Sequence, residues 1–167
     1  MTDFRNMTLN QLLNHQHNSD SWYWLGMAYM EIFDAGNAIN WLEKAMNNEG
    51  HEWADKATQE LAYAYIAEGH PYTNRDKALD VLKRVRQYLI PQLLAGLLLY
   101  HGTETRRDPQ KGKQLVEKAL QGLEEKDSLH VLSAYELNEI AAMYESEGEH
   151  RKAEEYTQKV NEYLANM

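Results

Sequence analysis

Apolar residues recur at intervals of three and four along most of the chain, as they do on helices with one buried face. Trp22, Leu25, Tyr29 and Ile32 mark one such face over residues 22–33, and Ala38, Leu42 and Ala45 mark the next over 38–46. No alternating Val/Ile/Thr run bounded by turn residues occurs, so the pattern predicts an all-α chain. The polar interruptions are regular. Asp34-Ala35-Gly36 separates two short helices, and Gly69 to Asn74 separates the next two. Gly102 to Arg107 and Glu147-Gly148-Glu149 do the same further on. Asp108-Pro109 reads as a helix N-cap with proline at the first helical position. Asn48 to Gly50, Ile90-Pro91 and Lys126 to Ser128 divide the resulting pairs. The expectation is four helical hairpins at about 20–48, 52–89, 91–124 and 128–165, after a short helix near 8–16.

The hairpins share a pattern. The first reads Trp22-x-x-Leu25-Gly26-x-x-Tyr29, then Ala38-x-x-x-Leu42-x-x-Ala45. The second has Leu61, Ala62 and Tyr65 before Ala78, Leu82 and Val85. The third has Ala95, Gly96 and Leu99 before Gly112 and Ala119, and the fourth Leu137, Ile140, Ala141 and Tyr144 before Ala153 and Val160. A small residue at 26, 62, 96 and 141 lets two helix backbones approach, and stacked hairpins bury a continuous core that none could bury alone. The first hairpin resembles the tetratricopeptide repeat at each of its signature positions. Nine residues separate Tyr29 from Ala38 and Tyr144 from Ala153, the tetratricopeptide spacing. Thirteen separate Tyr65 from Ala78 and Leu99 from Gly112, which is similar to the longer-looped Sel-one-like repeat. In the third hairpin Gly96-x-x-Leu99-x-x-Gly102, Asp108-x-x-Lys111 and Lys118-Ala119 carry that resemblance; Leu99, Glu104 and Gly112 depart from it. The resemblance spans about residues 20–165 and implies an α-α superhelix, or solenoid, of about four hairpins.

Composition fits that expectation. The 167 residues, 43% apolar and 26% charged, suit one globular domain, 1–167. The absence of cysteine excludes disulfides, thiol chemistry and Cys-ligated zinc. A net charge of -9 argues against general nucleic-acid binding. Met1-Thr2-Asp3-Phe4-Arg5 lacks a basic segment followed by an apolar one. The most apolar run, Leu93 to Tyr100, falls far short of the roughly 20 residues that span a bilayer. The expectation is an acidic cytoplasmic protein that engages neither membrane nor nucleic acid.

The charge is uneven. Residues 1–73 hold three basic and ten acidic residues, 74–113 nine and four, and 114–167 five and twelve. The middle block, from Arg75 to Lys113, reads as a solvated helix face or as a dock for an acidic partner. A homodimer would pair this positive middle with a negative end.

Catalytic signatures are missing. His15 and His17 stand two apart, a spacing that does not share a helix face. His51-Glu52 lacks the second histidine that a zincin needs. No Gly-x-Gly and no Gly-x-Ser-x-Gly occurs. The chain therefore reads as a non-enzyme without cofactor or metal. Tetratricopeptide-like arrays are binding scaffolds, as the resemblance implies, with first helices lining a concave groove. Tyr23, Met27, Tyr63, Leu97 and His101 fall on the groove side of first helices and combine aromatic and flexible apolar area with polar ends. They are the expected partner-binding residues, with Asp20, Met30, Gln59, Leu93, Tyr135, Asn138 and Glu145 beside them. The expected role is an adaptor or interaction scaffold gripping a peptide or helix of another protein. The alternative is a dedicated neutraliser or chaperone of one client, such as an immunity protein or secretion chaperone.

Overall fold

Local signals in the chain start and stop nine α-helices among the described residues, 2–167, of a computed structural model. They are α1 (Leu9–Leu13), α2 (Trp22–Glu31), α3 (Ala35–Met46), α4 (Ala54–Ile66), α5 (Arg75–Leu82), α6 (Leu89–His101), α7 (Pro109–Glu125), α8 (Ala134–Ser146) and α9 (His150–Ala165). No strand forms among those residues. Asp34, Asn74 and Asp108 cap α3, α5 and α7, each accepting a hydrogen bond from a backbone N–H of the first turn. That bond satisfies an amide the helix would leave unpaired. Thr8 and Gln11 close a reciprocal capping box on α1.

One hydrogen bond recurs in every hairpin. The residue before the second helix donates its N–H to the carbonyl of the signature residue closing the first: Asp34 to Tyr29 (3.0 Å), Asn74 to Tyr65 (2.8 Å), Asp108 to Leu99 (2.9 Å) and Glu149 to Tyr144 (2.9 Å). The two ends of the connection are thus fixed alike. The four extra residues of the longer connections loop out between them. In one such loop, Thr103 N–H donates to the Arg106 carbonyl (2.7 Å) and Arg106 N–H to Thr103 Oγ1 (2.9 Å).

The chain forms two compact units, Met1–Val85 and Arg86–Met167. In the first, Gly26 of α2 lies so close to α3 that a Cβ there would stand 2.6 Å from Leu42, which is fully buried. Helix α4 packs on α2 and α3, and α5 packs on α4. The segment before α2 folds over hairpin one: Phe4 and Leu12 are buried with Leu25, and Trp22, Trp24 and Trp41 pack around them. In the second unit α7 packs on α6, α8 on α6, and α9 on α8. Leu93, Leu97, Val116, Leu120, Leu137, Ile140, Met143 and Tyr156 share one core. Gly96 and Gly112 meet backbone to backbone: a Cβ on Gly112 would lie 2.5 Å from Tyr100 N and 2.6 Å from the Gly96 carbonyl oxygen. That crossing explains why glycine stands at 112, where the Sel-one-like pattern has alanine.

Hairpin four ends differently from hairpin one. Counted from Tyr29/Tyr144 and Ala38/Ala153, Tyr23, Met27, Met30 and Ile39 correspond to Asn138, Ala142, Glu145 and Glu154. The first set is buried or half-buried; the second is exposed along an open cleft between α8 and α9. Asn138, Glu145 and Glu154 present to solvent a face that is buried or half-buried in hairpin one.

Candidate protein-binding surface

The five expected binding residues fall into three environments. Tyr23 is 5% exposed, its ring stacked on Trp53 (centroids 5.1 Å, 8° between planes) and edge-on to Trp24 (4.9 Å). Burial, reinforced by the Glu60 carboxylate and opposed by Arg5, pushes its hydroxyl up to about 12. Tyr23 is therefore a core aromatic, because Trp53, from the segment just before α4, covers the ring that the helical register aimed at a groove. Leu97 is 1% exposed within the core of the second unit, where α8 packs against α6. It has no surface to offer, and the same holds for Leu93.

Met27 and Tyr63 keep exposed area. They occupy the same register position on α2 and α4, two before Tyr29 and two before Tyr65, and both are half-buried. Met30 and Gln59 beside them are half-buried as well. His101 ends α6, its Nε2 3.0 Å from the Glu139 carbonyl and 3.3 Å from the Glu139 carboxylate on α8. Asn138 and Glu145 are exposed on α8.

Other histidines are structural too. His51 Nδ1 accepts from Trp53 N–H (3.2 Å), so its proton lies on Nε2, which donates to Asp20 (2.7 Å). His70 is held likewise, accepting from Tyr72 N–H (3.0 Å) and donating to the Ala64 carbonyl (3.0 Å). No group of three or more His, Asp or Glu side chains suited to a metal ion occurs among the described residues.

The basic block does not form one free run. Arg75 pairs with Glu68 (2.8 Å), Lys83 with Asp80 (3.7 Å), and Arg84 donates to Asn47 (2.9 Å) in the first unit. In the second, Lys113 lies 2.8 Å from Glu149 and 3.6 Å from Glu147. The hydrogen bond to Glu149 holds the Lys113 ammonium above its ordinary range and the Glu149 carboxyl below its own. Lys152 reaches both Glu149 (3.5 Å) and Glu117 (3.8 Å).

Sequence reasoning passed over a cleft along α3 of about 820 Å³, lined by Trp22, Trp41, Lys44 and several asparagines. Its signal was Trp41 and Lys44, three apart and therefore on one helix face.

Stacked hairpins with small residues at each crossing and a shared closing hydrogen bond define a helical-repeat scaffold. Residues 19–49 match the tetratricopeptide repeat. Among solved structures it resembles the crystal structure of MamA, which contains tetratricopeptide repeats, at 21% identity and a TM-score of 0.52. The likeness covers 95% of this chain and 85% of that one. No curated protein matches the sequence. Tetratricopeptide repeats are typically non-enzymatic protein-interaction scaffolds. No helix is long and apolar enough to cross a membrane among the described residues.

Proposed function

We propose that the chain is an adaptor that holds a peptide or helix of a partner protein against its first helices. Met27 and Tyr63 carry this reading, since they repeat one register position on consecutive first helices and keep side-chain area half-exposed. Methionine adapts its shape to a ligand, and tyrosine adds rigid area with a hydroxyl to orient it. On the second unit, His101 keeps an exposed edge of its own at the end of α6. Tyr23 belongs to the framework behind this surface, and Leu97 to the core of the second unit.

The test begins with a partner co-purified from the native cell and identified by mass spectrometry. Tyr63→Ala is expected to weaken its binding at least about tenfold, as truncating an interface anchor does, with the circular dichroism spectrum unchanged. Unchanged binding by Tyr63→Ala and Met27→Ala, together with loss in Arg84→Glu/Arg86→Glu, would move the docking surface to the basic block.

A further inference from the structure

The cleft on α3 contains a cation that pairs with no anion among the described residues. Lys44 Nζ sits 4.8 Å from the centre of the Trp41 ring and 5.7 Å from that of Trp22, held between two indoles. No carboxylate answers it among the described residues: adjacent Glu43 accepts instead from the Tyr65 hydroxyl (2.6 Å). Arg84 Nη1 donates to Asn47 Oδ1 (2.9 Å), which leaves the Asn47 amide N–H groups free to donate outward. Asn40 and Asn48, on the same cleft, have side-chain amides with no hydrogen-bond partner among the described residues. Residues 1–73 carry three basic and ten acidic residues, yet this cleft presents an unpaired ammonium flanked by amides.

We propose that this face of α3 binds an extended peptide segment, with an aspartate or glutamate side chain of that segment docked on Lys44. The asparagine amides, each both donor and acceptor, then pair with the peptide backbone. Dimensions agree. Asn40 and Asn47 are seven residues apart, about 10 Å along a helix, and three extended residues cover about the same length. The Trp41 and Trp22 rings flank the charge and offer apolar area to the residues on either side. A sugar would need an open indole face, and the Lys44 ammonium stands over both. A phosphate dianion would find only one ammonium for its two charges, whereas one carboxylate matches one ammonium. This surface is separate from the first-helix surface of Met27 and Tyr63 and does not depend on it.

The probe is the blocked pentapeptide acetyl-Ala-Leu-Glu-Leu-Ala-amide, titrated into the full chain and followed by heteronuclear NMR of the asparagine side-chain amides. Its counterpart has glutamine in place of glutamate. The glutamate peptide is expected to shift the Asn40, Asn47 and Asn48 amide signals, binding at least about fivefold more tightly than the glutamine peptide because its hydrogen bonds to the lysine are charge-assisted. Lys44→Gln removes that preference and Lys44→Arg retains it. Tyr63→Ala leaves the shifts unchanged, which separates failure of this site from failure of the first-helix reading. Absence of shifts at about 5 mM peptide, beyond the range of weak docking, would overturn the proposal. So would equal shifts with both peptides, or a preference that survives Lys44→Gln. Shifts of the same amides by chitotetraose alone would overturn it in favour of a glycan site.

Discussion

The Gly96–Gly112 crossing gives a quantitative prediction about hairpin three. In Gly112→Ala the new methyl would stand 2.5 Å from Tyr100 N, 2.6 Å from the Gly96 carbonyl oxygen and 2.9 Å from Tyr100 Cα. All three are backbone atoms, so no side chain can swing aside. Restoring ordinary contact requires α6 and α7 to part by about 0.9 Å, and a gap of that size forfeits a quarter to a half of each dispersion contact across it. Leu93, Leu97, Val116 and Leu120, all buried, lie in the core that this separation loosens. Overpacking of this kind costs about 1–3 kcal/mol, and with backbone on both sides the upper end applies. Alanine returns about 1 kcal/mol of helix propensity, leaving a net loss of about 2 kcal/mol. For a chain of this size that lowers the melting temperature by about 4–8 °C. Gly122→Ala, in the same helix, is the control. Its methyl would meet the half-buried Leu89 side chain, 2.7 Å away at Cδ2, and that side chain can rotate. The control is expected to be neutral or to gain up to about 1 kcal/mol. Scanning calorimetry of both variants decides the matter. A Gly112→Ala protein that melts at or above the parent, or a Gly122→Ala protein that falls equally far, would refute the reasoning.

Two further outcomes can be stated. Phe33 has φ 60° and is 94% exposed, where the equivalent residue of hairpin four is Gly148 with φ 76°. A left-handed backbone costs a side-chain-bearing residue about 1–2 kcal/mol, while glycine adds about 0.5–1 kcal/mol of unfolded-state entropy. Phe33→Gly should therefore raise the urea midpoint slightly with an unchanged slope, and a lowered midpoint would contradict that. Glu149 has a carboxyl pKa held below its ordinary 4.5, first by the hydrogen bond from Lys113. Its contribution is thus full above about pH 4.5 and lost as pH falls through the lower folded value. Thermal melts of Glu149→Gln and parent should differ at pH 7 and converge in acid; a difference independent of pH would show that the pair contributes through shape alone.

Hairpin boundaries, loop lengths and crossings were legible because each rests on a local signal. Asp34, Asn74 and Asp108 are caps by type and position, and the small residues at 26, 62 and 96 are close-approach residues by size. The pattern places the short first helix near 8–16, and it spans Leu9–Leu13, because the His15 and Gln16 carbonyls beyond it accept from the Ser21 hydroxyl and the Trp22 indole N–H. Binding residues were harder to read. Periodicity places Tyr23 on a face of α2, but whether that face meets a groove or another ring depends on Trp53, thirty residues away in a segment that looks like a break. Leu97 shares a register position with Met27 and Tyr63, and only the packing of α8 makes it core. The Lys44 cleft is not legible in the sequence, because its asparagines resemble an ordinary wet face and only the fold shows that Glu43 bonds to Tyr65 and Arg84 to Asn47.

The hydrogen bond that closes each hairpin makes its connecting loop interchangeable. Five residues separate the bonded pair at Tyr29/Asp34 and at Tyr144/Glu149, and nine at Tyr65/Asn74 and Leu99/Asp108, with the bond unchanged. The scaffold therefore does not register what is inserted between those points. Loop entropy rises by only about 0.6 kcal/mol per doubling of length, so any of these four tips should accept a grafted epitope or a sensor peptide. Such grafts would turn the chain into a display frame whose helices keep their spacing while its tips change.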